Sequence, residues 1–536
     1  MSSAKRVCVV GGGSSGLTSA RQMLDEGFDV VIYEKAAVLG GLWAYHEQDI
    51  FGQPSVMRST IINTSKEMSA FSDFPPPKEY PNYMHNTYMH RYFESYADNF
   101  NLRSRVRFNQ ELVEATQADD YEETGRWNVL VRDTKSGVER RETFDAVMVC
   151  VGHHVYPHVP TFTGQEKFRG KIVHTHSLKV PDEFKGKRVA VVGIGNSGVD
   201  AAVEASTVTS NVYLSTRRGA WIVKRVGPNG VPMDVFMNTR LSNYIKQLIP
   251  ESSANGYMED MLNSTFNHKA YGLQPKHRFL GQHPTINDAL PNKILSGVIR
   301  IKKDIKEFTQ DGVLFDGDEE VTKLDVVILA TGYQIKFPFL PKDVVPVRDN
   351  RVQLYKNVFP PQLRHPTLSL IGLIQPIGAI FPIAEMQARW QAQLLNGKKR
   401  LPDIKQIQQE IDAKQEALKK RYVDSPRHTI QVDYIDYMDE IADEIGAKPT
   451  LMKYFFSDPE LFWQILRGPC LPYQYRLEGP HPWKGAREAI LKAPSRIMLP
   501  LNPSTRWFTK GSNLAILLYF LLGLLVLLIA YAVHRV

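Results

Sequence analysis

Cysteine is nearly absent: three residues, at 8, 150 and 470, in a chain of 536. No two of them form a CxxC pair, which excludes a disulfide-stapled scaffold, a zinc ribbon and a dithiol redox centre. A strong excess of one charge is missing as well, since 65 basic residues face 57 acidic ones and leave only +8. With no arginine-rich arm and no basic tract interleaved with aromatics, nucleic acid is not an expected partner. Metal-ligand spacings and a Ser/His/Asp constellation are also wanting, so neither a metal nor a protein nucleophile is expected. Nor is a secretory leader expected. After Lys5-Arg6 the apolar run at 7–10 stops at Gly11-Gly12-Gly13, short of the roughly 7–15 residues an h-region needs. What remains is the composition of an ordinary globular protein, 43% hydrophobic and 23% charged. Its length suits three or four folding units, or two large ones.

One long apolar run is present, at 514–533, without a single charge. At 1.5 Å per residue it reaches about 30 Å, the thickness of a bilayer's hydrocarbon layer. Trp507, Tyr519 and Tyr531 suit the headgroup level, and Arg506 and Lys510 suit basic anchors. The expectation is a single transmembrane helix at 513–533. It would hold a cytosolic catalytic body on an intracellular membrane, by default that of the endoplasmic reticulum.

Near the N-terminus a short apolar strand at 6–10 runs into Gly11-Gly12-Gly13-Ser14-Ser15-Gly16. A helical stretch at 17–26, a turn at Gly27-Phe28-Asp29 and a second strand at 30–33 follow, with Glu34 at its end. A G-x-G-x-x-G alone is weak; strand, glycine turn, helix, strand and acid in this order are a dinucleotide-binding unit. Gly11 permits the tight turn, Gly13 lets the backbone approach a pyrophosphate, and Gly16 lets the helix pack on the strand. The helix N-terminus offers unpaired N–H groups to phosphate. Glu34 can accept ribose hydroxyls, and its charge repels a 2′-phosphate.

A second unit starts at Lys187-Arg188 and passes through 189–192 into Gly193-Ile194-Gly195-Asn196-Ser197-Gly198. Where the first unit places Glu34, this one has Arg217-Arg218. The register is nearly the same and the sign is reversed. Arginine in that slot is the expected partner of a 2′-phosphate, through charge-assisted bidentate bonds. The first site thus expects a dinucleotide without a 2′-phosphate, and the second NADP(H). Two nicotinamide cofactors would have little to exchange. FAD with NADPH allows hydride transfer from nicotinamide to flavin.

Two acid-led apolar strands that end in glycine, 144–152 and 324–333, bracket the second unit. The expected fold class is α/β: two Rossmann-like dinucleotide-binding domains, with the NADPH domain inserted in a split FAD domain. The expected division is FAD domain at 1–155, NADPH domain at 156–329 with an insertion at about 219–297, and the rest of the FAD domain at 330–445. A cover segment at 446–512 precedes the anchor. Cys8 and Cys150, on buried strands, read as inert packing.

Reduced flavin passes its electrons to a dithiol, a quinone or O₂, and the cysteine spacing removes the first. Further segments decide between the others. Phe168-x-Gly170-x-x-x-His174 lies just ahead of the second glycine turn, and 329–333 reads Leu-Ala-Thr-Gly-Tyr. With Gly40-Gly41-Leu42-Trp43, the run Asn63-Thr64-Ser65-Lys66-Glu67-Met68 and the segments at 215–221 and 371–376, the chain resembles, end to end, the flavin-containing monooxygenases of the animal microsomal type. One departure is Leu178, where the family usually has an aromatic residue.

The resemblance implies an NADPH- and O₂-dependent oxygenation of small lipophilic amines and sulfides, xenobiotics among them, through a C4a-hydroperoxyflavin. Baeyer–Villiger oxidation of ketones and release of H₂O₂ stay open on the same scaffold, as does homo-oligomerisation. It makes Asn63 the catalytic residue, between flavin and nicotinamide. By residue-for-residue matching the FAD site includes Gly11, Gly12, Gly13, Ser14, Ser15, Gly16, Glu34, Leu42, Trp43, Asn63 and Thr64. The NADP site includes Ile62, Asn63, Gly193, Gly195, Ser197, Gly198, Val199, Asp200 and Arg217. His174, in the segment between the cofactor domains, is not expected to be an acid or base, and a structural linker role and a functional one both stay open for it.

Overall fold

The computed structural model describes residues 4–423, 425 and 429–502. Ten strands build its two five-stranded sheets: β1 (Arg6–Val10), β2 (Asp29–Glu34), β3 (Val106–Phe108), β4 (Ala146–Val149), β5 (Lys171–His174), β6 (Val189–Val192), β7 (Val212–Ser215), β8 (Ile299–Lys302), β9 (Val326–Leu329) and β10 (Leu368–Leu370). The first sheet runs β10-β4-β1-β2-β3 and the second β8-β7-β6-β9-β5. Every pairing is parallel, with Val7 opposite Val30 and Val189 opposite both Val212 and Val326. The chain leaves the first sheet after β4 and returns to it at β10, with the second sheet wholly between.

Parallel sheets are covered on both faces, which is why the central strands read Val-Cys-Val-Val and Val-Ala-Val-Val without alternation. Cys8 and Cys150 are buried there, and burial holds both thiols well above their ordinary range. The acids that lead the closing strands have a structural task. Asp145 accepts from the Arg6 amide at 2.7 Å, and Asp325 accepts from the Arg188 amide at 2.8 Å. Each pins the start of a closing strand to the start of the strand that carries a glycine turn.

Helix α1 (Ser14–Asp25) follows the first turn and α2 (Asn196–Ala205) the second. Between β7 and β8 lie α3 (Met233–Met237) and α4 (Arg240–Leu248). Beneath the first sheet, α5 (Phe381–Leu395) is buried on all sides, its polar residues included. Those are paired: Glu385 takes Ser72 and Arg476, and Gln387 bridges the Gly372 amide and Tyr437. Helices α6 (Leu451–Ser457), α7 (Pro459–Arg467) and α8 (Ala486–Met498) close that side. The expected anchor at 513–533, with Trp507, Tyr519, Tyr531, Arg506 and Lys510, lies outside the described residues. Among the described residues no helix is long and apolar enough to cross a membrane.

Candidate functional site: one cavity between two glycine turns

Both glycine turns are built the same way. Gly11 and Gly193 have φ of +104° and +113°, a backbone that favours glycine. A Cβ on Gly16 would stand 1.8 Å from the Gly11 carbonyl oxygen, and one on Gly198 would stand 2.0 Å from that of Gly193. Either methyl would push the helix off its strand. The middle glycines differ. A Cβ on Gly13 would meet nothing closer than Gly41 Cα at 3.6 Å, and one on Gly195 would meet nothing within 4 Å. Packing therefore does not require glycine at either position.

Glu34 shapes the first turn. Its carboxylate oxygens accept from the amides of Gly12 at 2.6 Å and Ala36 at 2.7 Å. Burial raises its pKa, and those two amides work against the rise. Around the turn lies a cavity of about 840 Å³, lined by Gly11, Gly13, Ser14, Ser15, Glu34, Leu42 and Trp43. It continues past Ile62, Asn63 and Thr64 to Asn196, Ser197 and Asp200 on α2. The two turns therefore open on a single space, of the size that binds a large ligand.

Other expected site residues stand outside that lining. Gly12, Gly16, Gly193, Gly195 and Gly198 form the turns themselves. The Val199 side chain is wholly buried in the core of the second unit, and its amide bonds the Gly195 carbonyl. Arg217 is mostly exposed at the end of β7, its Nε 3.8 Å from Asp304. Asp200 accepts from Asn287 Nδ2 at 2.9 Å, and burial pushes its carboxyl up to about 6.

His174 is a linker. Its Nε2 lies 3.1 Å from the Gly332 carbonyl, and its Nδ1 accepts from the His176 amide at 3.1 Å. Burial pushes it down to about 4, so the ring is neutral at pH 7 with both nitrogens engaged. Leu178, the departure from the family pattern, is buried beside Phe184 and Val189 in the core of the second unit. Gly170 has no room for a side chain, because a Cβ there would meet the Phe168 ring at 2.4 Å and the Asp325 carbonyl at 2.6 Å.

Two sets of residues escaped the sequence reading. His153 and His154 line the cavity directly after β4. Their position at the carboxyl end of a central strand was the available signal. Arg225, from the insertion, donates from Nη2 to Asn63 Oδ1 at 2.7 Å. Nothing local marks it, because the pair is 162 residues apart. Asn63 Oδ1 thus already accepts one strong hydrogen bond, and it faces a guanidinium.

Two parallel sheets whose glycine turns share one cavity have the architecture of a two-cofactor oxidoreductase. A family described as flavin-binding monooxygenase-like matches residues 4–535. The chain is 49% identical over 499 residues to flavin-containing monooxygenase 5 of Rattus norvegicus, covering 93% of each. It is 42% identical over 530 residues to a dimethylaniline monooxygenase (N-oxide-forming) 2 of Mus musculus, covering 98% of each. A solved S-allyl-L-cysteine S-oxygenase from Allium sativum shares the fold, with a TM-score of 0.64 and 24% identity over 91% of this chain and 99% of that one. The chain belongs to the flavin-containing monooxygenase family. It is a flavoprotein monooxygenase with FAD and NADPH as its cofactors.

The residues present fit that pair. Gly13 and Gly41 face each other so closely that a Cβ on Gly41 would stand 3.1 Å from Gly13 Cα, leaving two bare backbone turns side by side. Arg225 Nε is a buried donor without a partner among the described residues.

Proposed function

We propose that the first site holds FAD, the second holds NADPH, and the space beside Asn63 is where small lipophilic amines and sulfides are oxygenated. The observation that carries this reading is the single cavity, which runs from Glu34 and the first turn past Asn63 to Ser197 and Asp200. When bound, the cofactors supply hydride and activate O₂. The chain's residues bind, orient and shield. The α1 and α2 N-termini would offer amides to the pyrophosphates, Glu34 would accept from a ribose, and Arg217 would pair with the 2′-phosphate. Asn63 donates from Nδ2 beside the reacting centre, and Trp43, Ile62, Ile374 and Phe381 exclude water there. No side chain need act as nucleophile, because a soft amine or sulfide attacks activated oxygen itself.

The same reading sets the chain on the endoplasmic reticulum membrane through 513–533, with its catalytic body cytosolic. Leu248, Met452, Phe456 and Leu501 support it as exposed apolar side chains on or beside α4, α6 and α8. The decisive experiment uses Asn63→Ala. The variant should retain FAD and oxidise NADPH, yet form at least tenfold less sulfoxide or N-oxide per NADPH and release H₂O₂ instead. Normal yield of oxygenated product would end the assignment of Asn63.

A further inference from the structure

We propose that Arg225 is a positioning residue that decides which hydrogen-bonding end Asn63 turns to the cavity, an inference that rests on the reading of Asn63 above. Arginine carries five donors, no acceptor and a permanent charge. The only part of an asparagine amide that can face it is the carbonyl oxygen. The 2.7 Å bond from Arg225 Nη2 to Asn63 Oδ1 therefore leaves Nδ2, a pure donor, as the group Asn63 offers on the cavity wall.

Arg225 is itself held from three directions. Its Nη1 lies 3.1 Å from Asp288 Oδ2, its amide donates to Asp288 Oδ1 at 2.9 Å, and its carbonyl accepts from Tyr83 at 2.7 Å. The Tyr83 hydroxyl in turn accepts from the Met233 amide at 3.2 Å. Beside it, Asp234 at the start of α3 accepts from the Ser65 amide at 2.6 Å, two residues beyond Asn63. The insertion thus grips the Asn63 segment at the side chain and at the backbone.

The grip also joins the two cofactor sites. Asp288 follows Asn287, which bonds Asp200 on the second-site helix. The Arg225 charge lies near enough to Asp200 to oppose the rise that burial gives its carboxyl. One guanidinium therefore stands between the flavin-side amide and the acids of the nicotinamide side. Charge placement at the second site sets the orientation of Asn63 at the first.

The test compares full-length Arg225→Met, Arg225→Lys, Asn63→Asp and Asn63→Ala. Each is measured for FAD content, unfolding temperature, NADP⁺ affinity by titration and H₂O₂ released per product formed. Arg225→Met should keep FAD, while H₂O₂ per product rises about tenfold or more, the factor carried by a lost hydrogen bond to a charged group. Its NADP⁺ affinity should fall as well. Arg225→Lys should recover part of both, since an ammonium also donates to Oδ1. Asn63→Asp should pair with Arg225, keep its unfolding temperature, and present an oxygen where the NH₂ stood. It should uncouple as fully as Asn63→Ala. Coupled turnover in Arg225→Met or Asn63→Asp overturns the proposal, as does equal loss of FAD in the Met and Lys variants, which marks a residue of folding only. Coupled turnover in Asn63→Ala would instead fault the reading of Asn63 itself.

Discussion

Gly195→Ala separates cofactor binding from folding. Gly195 caps α2 with φ −70° and ψ 175°, angles that alanine adopts without strain, and its added Cβ meets no atom within 4 Å. The folding cost is limited to a changed helix cap and a stiffer unfolded chain, together within about 1 kcal/mol. If the turn cradles a pyrophosphate, the methyl stands where phosphate must approach the backbone. Weakening one charge-assisted amide bond by about 2 kcal/mol corresponds to about 30-fold in affinity. The neighbouring Gly198→Ala behaves in the opposite way. Its Cβ would lie 2.0 Å from the Gly193 carbonyl oxygen and 3.0 Å from Ala330 Cβ, so α2 must retreat by about an ångström from β6. Overpacking of this kind costs about 1–3 kcal/mol, or roughly 2–10 °C for a domain of this size. Both variants should be assayed by thermal unfolding and by the NADPH concentration dependence of flavin reduction. The expected pattern is an unshifted midpoint with weak NADPH binding for Gly195→Ala, and a lowered midpoint for Gly198→Ala. Unchanged NADPH affinity in Gly195→Ala would refute the role given to the second turn.

Arg217→Ala should cut the preference for NADPH over NADH about 10- to 100-fold by removing a charge-assisted bond; steady-state kinetics with both nucleotides checks it, and equal discrimination would remove Arg217 from the site. Glu34→Gln places an NH₂ against the Gly12 or Ala36 amide and should lower FAD occupancy about tenfold at limiting FAD, read from the flavin-to-protein absorbance ratio. His174 titrates at about 4 in the folded chain against 6.5 unfolded. The folded state binds fewer protons between those values, so stability is full above pH 6.5 and falls by about 3 kcal/mol as pH drops to 4. His174→Gln should flatten that acid limb in a plot of unfolding temperature against pH, and an unchanged limb would contradict a neutral His174.

Much of the framework was legible before folding, because it depends on local covalent facts. A left-handed turn accepts glycine, a helix start pressed on a carbonyl leaves no room for a Cβ, and a strand covered on both faces is apolar throughout. Gly11, Gly16, Gly193 and Gly198 therefore mark both glycine-turn units, and the contrast of Glu34 with Arg217 carries the proposal of which cofactor each unit takes. Even Asp145 and Asp325, read only as acid-led strands, mark where each closing strand is tied. The tertiary structure alone decided how these parts meet. That both turns open on one cavity depends on two sheets far apart in sequence coming to face each other. That Asn63 holds its oxygen toward a guanidinium depends on Arg225, which no spacing rule connects to it. The orientation of an amide costs almost nothing by itself, so the chain near Asn63 carries no trace of it. A largely buried cation brought in from the segment between β7 and β8 fixes it, since a guanidinium taken from water must find an oxygen to hold.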